Sequence, residues 1–411
     1  MNQPFTAEIK LKSSKERGYF DQLVDAVVRP PRQIYDPSKL GATTMLVNKL
    51  LIYREDFVVV SRQQNLKLQC SLYSPVYLKD KSRPCIIYLH GNSSSRLESS
   101  CYANMLAQEG MSLVNFDFGG CGISDGQYVS LGWYEKEDFL NILKYIKVKY
   151  PLLGPFGVWG RSMGAVTAIM AAAEYPELNT LVLDSPFSNL KQLCIDIGDN
   201  FHVPTIGVRF VFYLLRKKVR KLVRYDPKHI NTILYIKKLS SKCAAYFVRA
   251  SSDKMIGKNH IEELYDAFKG EKYIFTFQGD HNAPRPIEAY QGITRYFYYI
   301  QAYIKRFFAT RLNKSTDIQK MSLSRKSSGK SHKIEKGYKS QKSNESDVNY
   351  DESDDENAKK LNNEQYITEM KKPQLLNAFL SDSDIDSQHS LDEDLHDHDL
   401  PQFQDIKTKL S

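Results

Sequence analysis

The sequence predicts an α/β protein with a mostly parallel central sheet and helices on both faces. Three observations predict it. From Pro84 onward short apolar, β-rich runs alternate with longer helical patterns, the order that builds strand–helix–strand units. The runs at 85–89, 112–116, 156–159, 180–183, 244–249 and 273–277 are continuously apolar, as strands covered on both faces must be. The third run ends in Gly160-Arg161-Ser162-Met163-Gly164 and opens directly into an alanine-rich helical stretch, a strand, a sharp turn and a helix.

The elements follow in order. Residues 1–50 read as an extension that packs on the main domain, with a short amphipathic helix over 19–28. Arg29-Pro30-Pro31-Arg32 then forces extended backbone. Runs at 55–62 and 66–74 alternate and are split by Gln63-Gln64-Asn65, which predicts a β-hairpin. Helices are expected near 98–109, 132–149, 163–175, 258–269 and 285–308. The strand at 180–183 ends in Asp184-Ser185-Pro186-Phe187, and about 55 residues lie between there and Cys243. That is too long for a plain loop and rich in helix formers, so 187–242 is expected to form a helical cap. The catalytic domain is expected to span 51–310. The composition then changes. Residues 311–342 hold ten Lys and Arg against two Asp and Glu, and 343–399 hold four against seventeen. Such a segment cannot bury enough apolar surface to offset its ordering entropy, so 311–411 is expected to be a disordered tail.

Composition excludes several classes. Six cysteines are scattered without CxxC or zinc spacing, which predicts reduced thiols in an intracellular protein and no metal site. Cys101 and Cys121 are expected to be buried. The N-terminus has no apolar run, so no secretory signal is expected. No window approaches the roughly 18 apolar residues of a membrane span. The basic 311–342 segment lacks interleaved aromatics, so no specific nucleic-acid binding is expected.

The chemistry starts at Ser162. In G-x-S-x-G between strand and helix, the serine hydroxyl stands clear of the sheet. The following helix aims its N-terminus at the site, and the Met163 N–H can donate to an oxyanion. A serine nucleophile needs a base and an orienting acid. Asp253, after the run at 244–249, and His281, after the run at 273–277, sit at the same sheet edge as Ser162. Asp184, at the end of the run after the nucleophile helix, is the rival acid. The loop His90-Gly91-Asn92 follows the first parallel strand. Gly91 lets it turn inward, and the Asn92 N–H is expected to be the second oxyanion donor. The loop from Gly119 to Ser124 takes a structural role beside the nucleophile turn.

These pieces together resemble the α/β-hydrolase superfamily: His90-Gly91-Asn92, the Gly119 to Ser124 loop, Gly160-Arg161-Ser162-Met163-Gly164, Asp184-Ser185-Pro186-Phe187, Asp253, and Gly279-Asp280-His281-Asn282 with Arg285-Pro286. The resemblance covers about residues 40–308 and is strongest to the group called serine aminopeptidase S33 or hydrolase-4. It implies the α/β-hydrolase fold with Ser162 as nucleophile, His281 as base, Asp253 as acid, and Met163 and Asn92 at the oxyanion hole.

The expected activity is cleavage of a carboxylic ester or thioester, lipid-like in character, through an acyl-enzyme, without metal or cofactor. Two alternatives stand beside it: an S33-type serine peptidase, and an idle scaffold presenting the tail. A helix over 208–225 in the cap is expected to bury Val208, Val211, Phe212, Leu215, Val219, Leu222 and Val223. Its Lys217, Arg220, Lys221 and Arg224 offer a peripheral contact with a membrane surface. The expected location is cytoplasmic, peripheral at such a surface. Tail serines followed by acids, as in Ser353-Asp354-Asp355-Glu356 and Ser381-Asp382-Ser383-Asp384, suit phosphorylation or protein binding.

Overall fold

A computed structural model of the protein describes residues 18–61 and 65–298. The expectations for 299–411, the tail included, lie outside the described residues.

The strands are β1 (Thr44–Val47), β2 (Leu50–Val60), β3 (Lys67–Pro75), β4 (Arg83–Leu89), β5 (Ser112–Phe116), β6 (Leu153–Arg161), β7 (Thr180–Asp184), β8 (Ala244–Ala250) and β9 (Glu271–Phe277). They form one sheet in the order β1-β2-β3-β5-β4-β6-β7-β8-β9. From β5 to β9 all neighbours are parallel, while β1, β2 and β3 add an antiparallel edge. The parallel strands are almost wholly buried at β4, β5 and β7, which is why their sequences carry no polar alternation.

The hairpin at 55–74 forms as β2 and β3, with longer arms than the apolar pattern marks. β1 was hidden inside the 1–50 extension. Its turn to β2 uses Asn48 and Lys49, both at positive φ (50° and 64°). That is the backbone of a tight two-residue hairpin, but Asn-Lys is not the Asn-Gly pair that announces one.

The helices are α1 (Tyr19–Val28), α2 (Leu97–Ser100), α3 (Tyr102–Gln108), α4 (Glu135–Lys149), α5 (Met163–Glu174), α6 (Leu190–Asn200), α7 (Thr205–Val223), α8 (Thr232–Ile236) and α9 (Lys258–Ala267), and 287–298 is helical too. One face of the sheet packs α1, α4, α5, α9 and the cap helices into the larger core. The other packs α3 and the 287–298 helix. Val24 and Val28 of α1 are buried in the larger core; each such side chain contributes up to about 1.5–3 kcal/mol, which holds the extension on the domain.

The cap lies between β7 and β8 and consists of α6, α7, a short turn at Pro227–His229, and α8. On α7 the buried positions are Phe212, Leu215, Val219 and Val223. This seam is narrower than the sequence pattern implies. Val211, expected inside, is exposed, and Val208 and Leu222 are only half-buried, because a single row at spacings of three and four suffices to seat the helix. The helix also stops at Val223, where Arg224 turns left-handed at φ 62°.

Candidate active site

The connection from β4 runs to β5 on one side, and β6 returns on the other side of β4. Where strand order reverses in this way, the carboxyl ends of the strands leave a crevice. β4 delivers Gly91 and Asn92 there, and β6 delivers Ser162.

Ser162 has φ 51° and ψ −114°, a conformation an L-residue adopts only under constraint. Its N–H donates to the Asp184 carbonyl at 2.7 Å, which pins the turn to the end of β7. The flanking glycines are required by close approach. A Cβ at Gly160 would overlap the Gly164 carbonyl, and one at Gly164 would overlap the Leu89 carbonyl. The helix N-terminus is thereby pressed against the end of β4. Gly91 is a different case. A Cβ there would meet nothing closer than the Arg161 carbonyl at 3.8 Å, so the inward turn does not depend on glycine. That Cβ would stand 4.0 Å from the Ser162 Cβ, so the missing side chain keeps the space beside the serine open.

The loop after β4, expected to hold an oxyanion, is held from below. His90 is buried; its Nε2 accepts from the Phe118 N–H at 3.2 Å, so Nδ1 carries the proton and donates to the Gly91 carbonyl at 2.7 Å. Among the described residues, the Asn92 and Met163 N–H groups have no acceptor. The Asn92 Oδ1 is likewise buried without a hydrogen-bond partner.

β8 and β9 are adjacent and parallel, and their exits are zipped together. Ser251 N–H donates to the Phe277 carbonyl at 2.8 Å and Ser252 N–H to the Gly279 carbonyl at 2.9 Å. This brings Asp253 to His281, whose Nδ1 lies 2.7 Å from the Asp253 Oδ2. The other oxygen of Asp253 accepts from the N–H groups of Met255 at 2.9 Å and Ile256 at 2.7 Å, which orients the carboxylate. Asp184, the rival acid, is committed elsewhere: Arg285 donates to both its oxygens at 2.8 Å. Among the described residues no hydrogen bond joins Ser162 to His281; hydrogen bonds between a nucleophile and its base are often long before substrate binds.

Three supporting residues were not singled out from sequence. Arg161, the variable residue before Ser162, pairs with Glu98 at 2.7 Å and donates to the His281 carbonyl at 3.4 Å and to the Asn282 Oδ1 at 3.3 Å. Glu98 accepts from the Gly91 N–H at 3.0 Å and the Tyr88 hydroxyl at 3.0 Å. Burial works against this carboxylate, but the Arg161 charge and hydrogen bond outweigh it and hold its pKa below the usual range. One ion pair thus ties the loop after β4, the Ser162 turn and the His281 loop together. The third residue, Asp117, accepts from Arg96 N–H, Ile123 N–H and the Tyr35 hydroxyl, and so fixes the glycine-rich loop. A charged residue inside the G-x-S-x-G motif was the one available signal.

Cys121 is buried as expected, and burial pushes its thiol well above the ordinary value. Cys101 is exposed instead. It sits at the junction of α2 and α3, where the residues turned inward are Ser99 and Ala103. All six thiols are free. Among the described residues no cluster of His, Cys, Asp and Glu could hold a metal ion, and no helix is long and apolar enough to cross a membrane.

The family described as "Serine aminopeptidase, S33" matches residues 80–267. The chain is 26% identical over 203 residues to an uncharacterized protein of Bacillus subtilis, covering 48% of this chain and 64% of that protein. It is 33% identical over 118 residues to the lysophosphatidylserine lipase of Bos taurus, covering 27% of this chain and 29% of the lipase. The chain therefore spans less than two thirds of the length of these curated relatives. A solved esterase of Pyrococcus furiosus superposes with a TM-score of 0.50 at 22% identity, covering 66% of this chain and 97% of the esterase, a likeness of fold.

Proposed function

The chain belongs to the α/β-hydrolase superfamily, and from that premise we propose that it is a serine hydrolase cleaving a carboxylic ester or thioester through an acyl-enzyme. The observation that carries the reading is the 2.7 Å contact between His281 Nδ1 and Asp253, formed beside the Ser162 turn.

In the proposed cycle the Ser162 hydroxyl attacks the carbonyl carbon and its proton passes to His281 Nε2. Asp253 holds the Nδ1 proton and so keeps Nε2 free to accept. The N–H groups of Met163 and Asn92, both without an acceptor, take the tetrahedral oxyanion. Collapse expels the alcohol or thiol with the proton from His281 and leaves Ser162 acylated. Water then repeats the sequence and releases the acid. No cofactor or metal enters these steps.

The cap weighs on substrate class. It carries twelve Lys and Arg against three Asp. Asp196 and Asp226 are tied to Gln192, Asn259 and Arg216, so neither stands ready for the ammonium group an aminopeptidase must anchor. A lipid-like ester suits the site better, and the Bos taurus relative's name as a lysophosphatidylserine lipase supports that reading. The contact it implies is peripheral, at a cytoplasmic membrane surface met through the cap. The test is labelling by a fluorophosphonate probe, followed by turnover of acyl esters, acyl thioesters and aminoacyl arylamides. Labelling with ester or thioester turnover is expected. An unlabelled protein would favour the idle scaffold, and turnover confined to the arylamide would favour the peptidase.

A further inference from the structure

The outer side of α7 carries two chemistries in one line. Ile206, Phe210 and Tyr213 follow at spacings of four and three, and all are exposed (81%, 62% and 48%). Lys217, Arg220 and Lys221 continue the same stripe toward the C-terminus, also exposed. The Lys217 ammonium lies 5.1 Å over the Tyr213 ring, where the two halves meet. From Ile206 to Lys221 the stripe runs about 22 Å. Val203 and Phe201, just before the helix, are exposed as well.

Beside the stripe a cavity of about 330 Å³ opens between α6, α7 and the turn at Pro227–His229. Its walls include Lys191, Arg209, Arg216 and Lys228, with Tyr213 at the border to the stripe. Asp226 spends both oxygens on Arg216 at 2.8 Å and lies 3.9 Å from Lys228. One carboxylate among four cations leaves the cavity strongly positive.

We propose that the outer stripe of α7 docks the protein on an anionic phospholipid bilayer, with a headgroup phosphate seated in the cavity between Lys191, Arg209 and Lys228. The occupant follows from the chemistry. An acidic protein or nucleic acid would match the cations but would leave exposed Ile206 and Phe210 against charge. A bilayer surface offers anionic headgroups beside acyl chains, and an amphipathic helix lies at that boundary. Because the apolar half of α7 is N-terminal, the helix meets the surface tilted, with Ile206 and Phe210 deepest. The proposal rests on the membrane contact suggested above for this cap, but not on the hydrolysis chemistry.

The experiment uses the full chain and vesicles of phosphatidylcholine with and without phosphatidic acid. The three proteins compared with wild type carry Ile206→Ser with Phe210→Ser, Lys217→Gln with Arg220→Gln and Lys221→Gln, and Lys191→Gln with Arg209→Gln and Lys228→Gln. Wild type should sediment with the anionic vesicles, less so at high salt. Each variant should bind at least severalfold more weakly, the cation variants by up to about a hundredfold, since each cation near the surface adds at most about 1 kcal/mol. Hydrolysis of a short soluble ester should be unchanged in all of them. Equal vesicle binding by wild type and variants would overturn the proposal. So would inorganic phosphate binding the cavity with no vesicle binding at all. A failure of ester hydrolysis in wild type would sink the enzymatic reading and leave the docking result standing.

Discussion

Arg285 grips Asp184 through two hydrogen bonds of 2.8 Å, and the same guanidinium donates to the His281 carbonyl at 3.0 Å. Both side chains are buried. Asp184, the alternative to Asp253 as the proposed acid, is therefore the anchor of the His281 loop. The two carboxylates should fail in different ways. Asp253→Asn should lower turnover on the order of 10⁴-fold by favouring the wrong histidine tautomer, with little change in melting temperature. Asp184→Asn breaks a buried ion pair, which typically costs about 3–5 kcal/mol, and should show first as a lower melting temperature. Thermal melts beside steady-state kinetics separate them. A fully stable but inactive Asp184→Asn protein would return the acid role to Asp184.

Ser162→Ala should abolish fluorophosphonate labelling and lower turnover by about 10⁴ to 10⁶. The substitution removes one hydroxyl from a turn whose backbone is fixed by the Asp184 carbonyl, so the fold should survive. Labelling that persists in the alanine protein would place the nucleophile elsewhere.

Arg161 and Glu98 should act on rate rather than affinity. Arg161→Met releases the oxyanion loop and the base loop together, and a misplacement of about 1 Å can cost on the order of 10²-fold. The expected result is a kcat reduced by about 10- to 100-fold with KM nearly unchanged, partly restored in Arg161→Lys. A change confined to KM would assign Arg161 to substrate binding instead.

Asp138 predicts a pH dependence of stability. Burial, then the neighbouring Glu135, pushes its carboxyl up to about 7, while its oxygen accepts the Gly119 N–H at 3.1 Å. In the unfolded chain it titrates near 3.9. Between those values the unfolded chain has lost the proton and the folded chain has kept it. Stability from this group therefore falls as pH rises from about 4 to about 7, by at most about 1.4 kcal/mol per pH unit, and is level above. Asp138→Asn can still accept from Gly119 and does not titrate. Urea melts at several pH values should show wild type losing stability relative to the variant across that window. Parallel profiles would refute the raised pKa.

The sequence by itself determined the parts of the molecule that are local. Continuous apolar runs marked the parallel strands because burial on both faces demands them. Gly160 and Gly164 marked the turn at Ser162 because backbone passes where their side chains would be. Chain order placed Ser162, Asp253 and His281 at one sheet edge. Tertiary structure decided what depends on register and adjacency. Asp253 and Asp184 both follow parallel strands, and periodicity ranks neither. The proposed choice between them rests on the Ser251 and Ser252 hydrogen bonds that join two loops, and on an arginine 101 residues beyond Asp184. The same holds for Glu98 and Arg161, which are 63 residues apart, and for α7, whose sequence marks the side the core covers but not how narrow the buried seam is. Helical and strand periods record a residue's immediate surroundings, whereas the pairing of distant charges exists only once the sheet has brought their loops together.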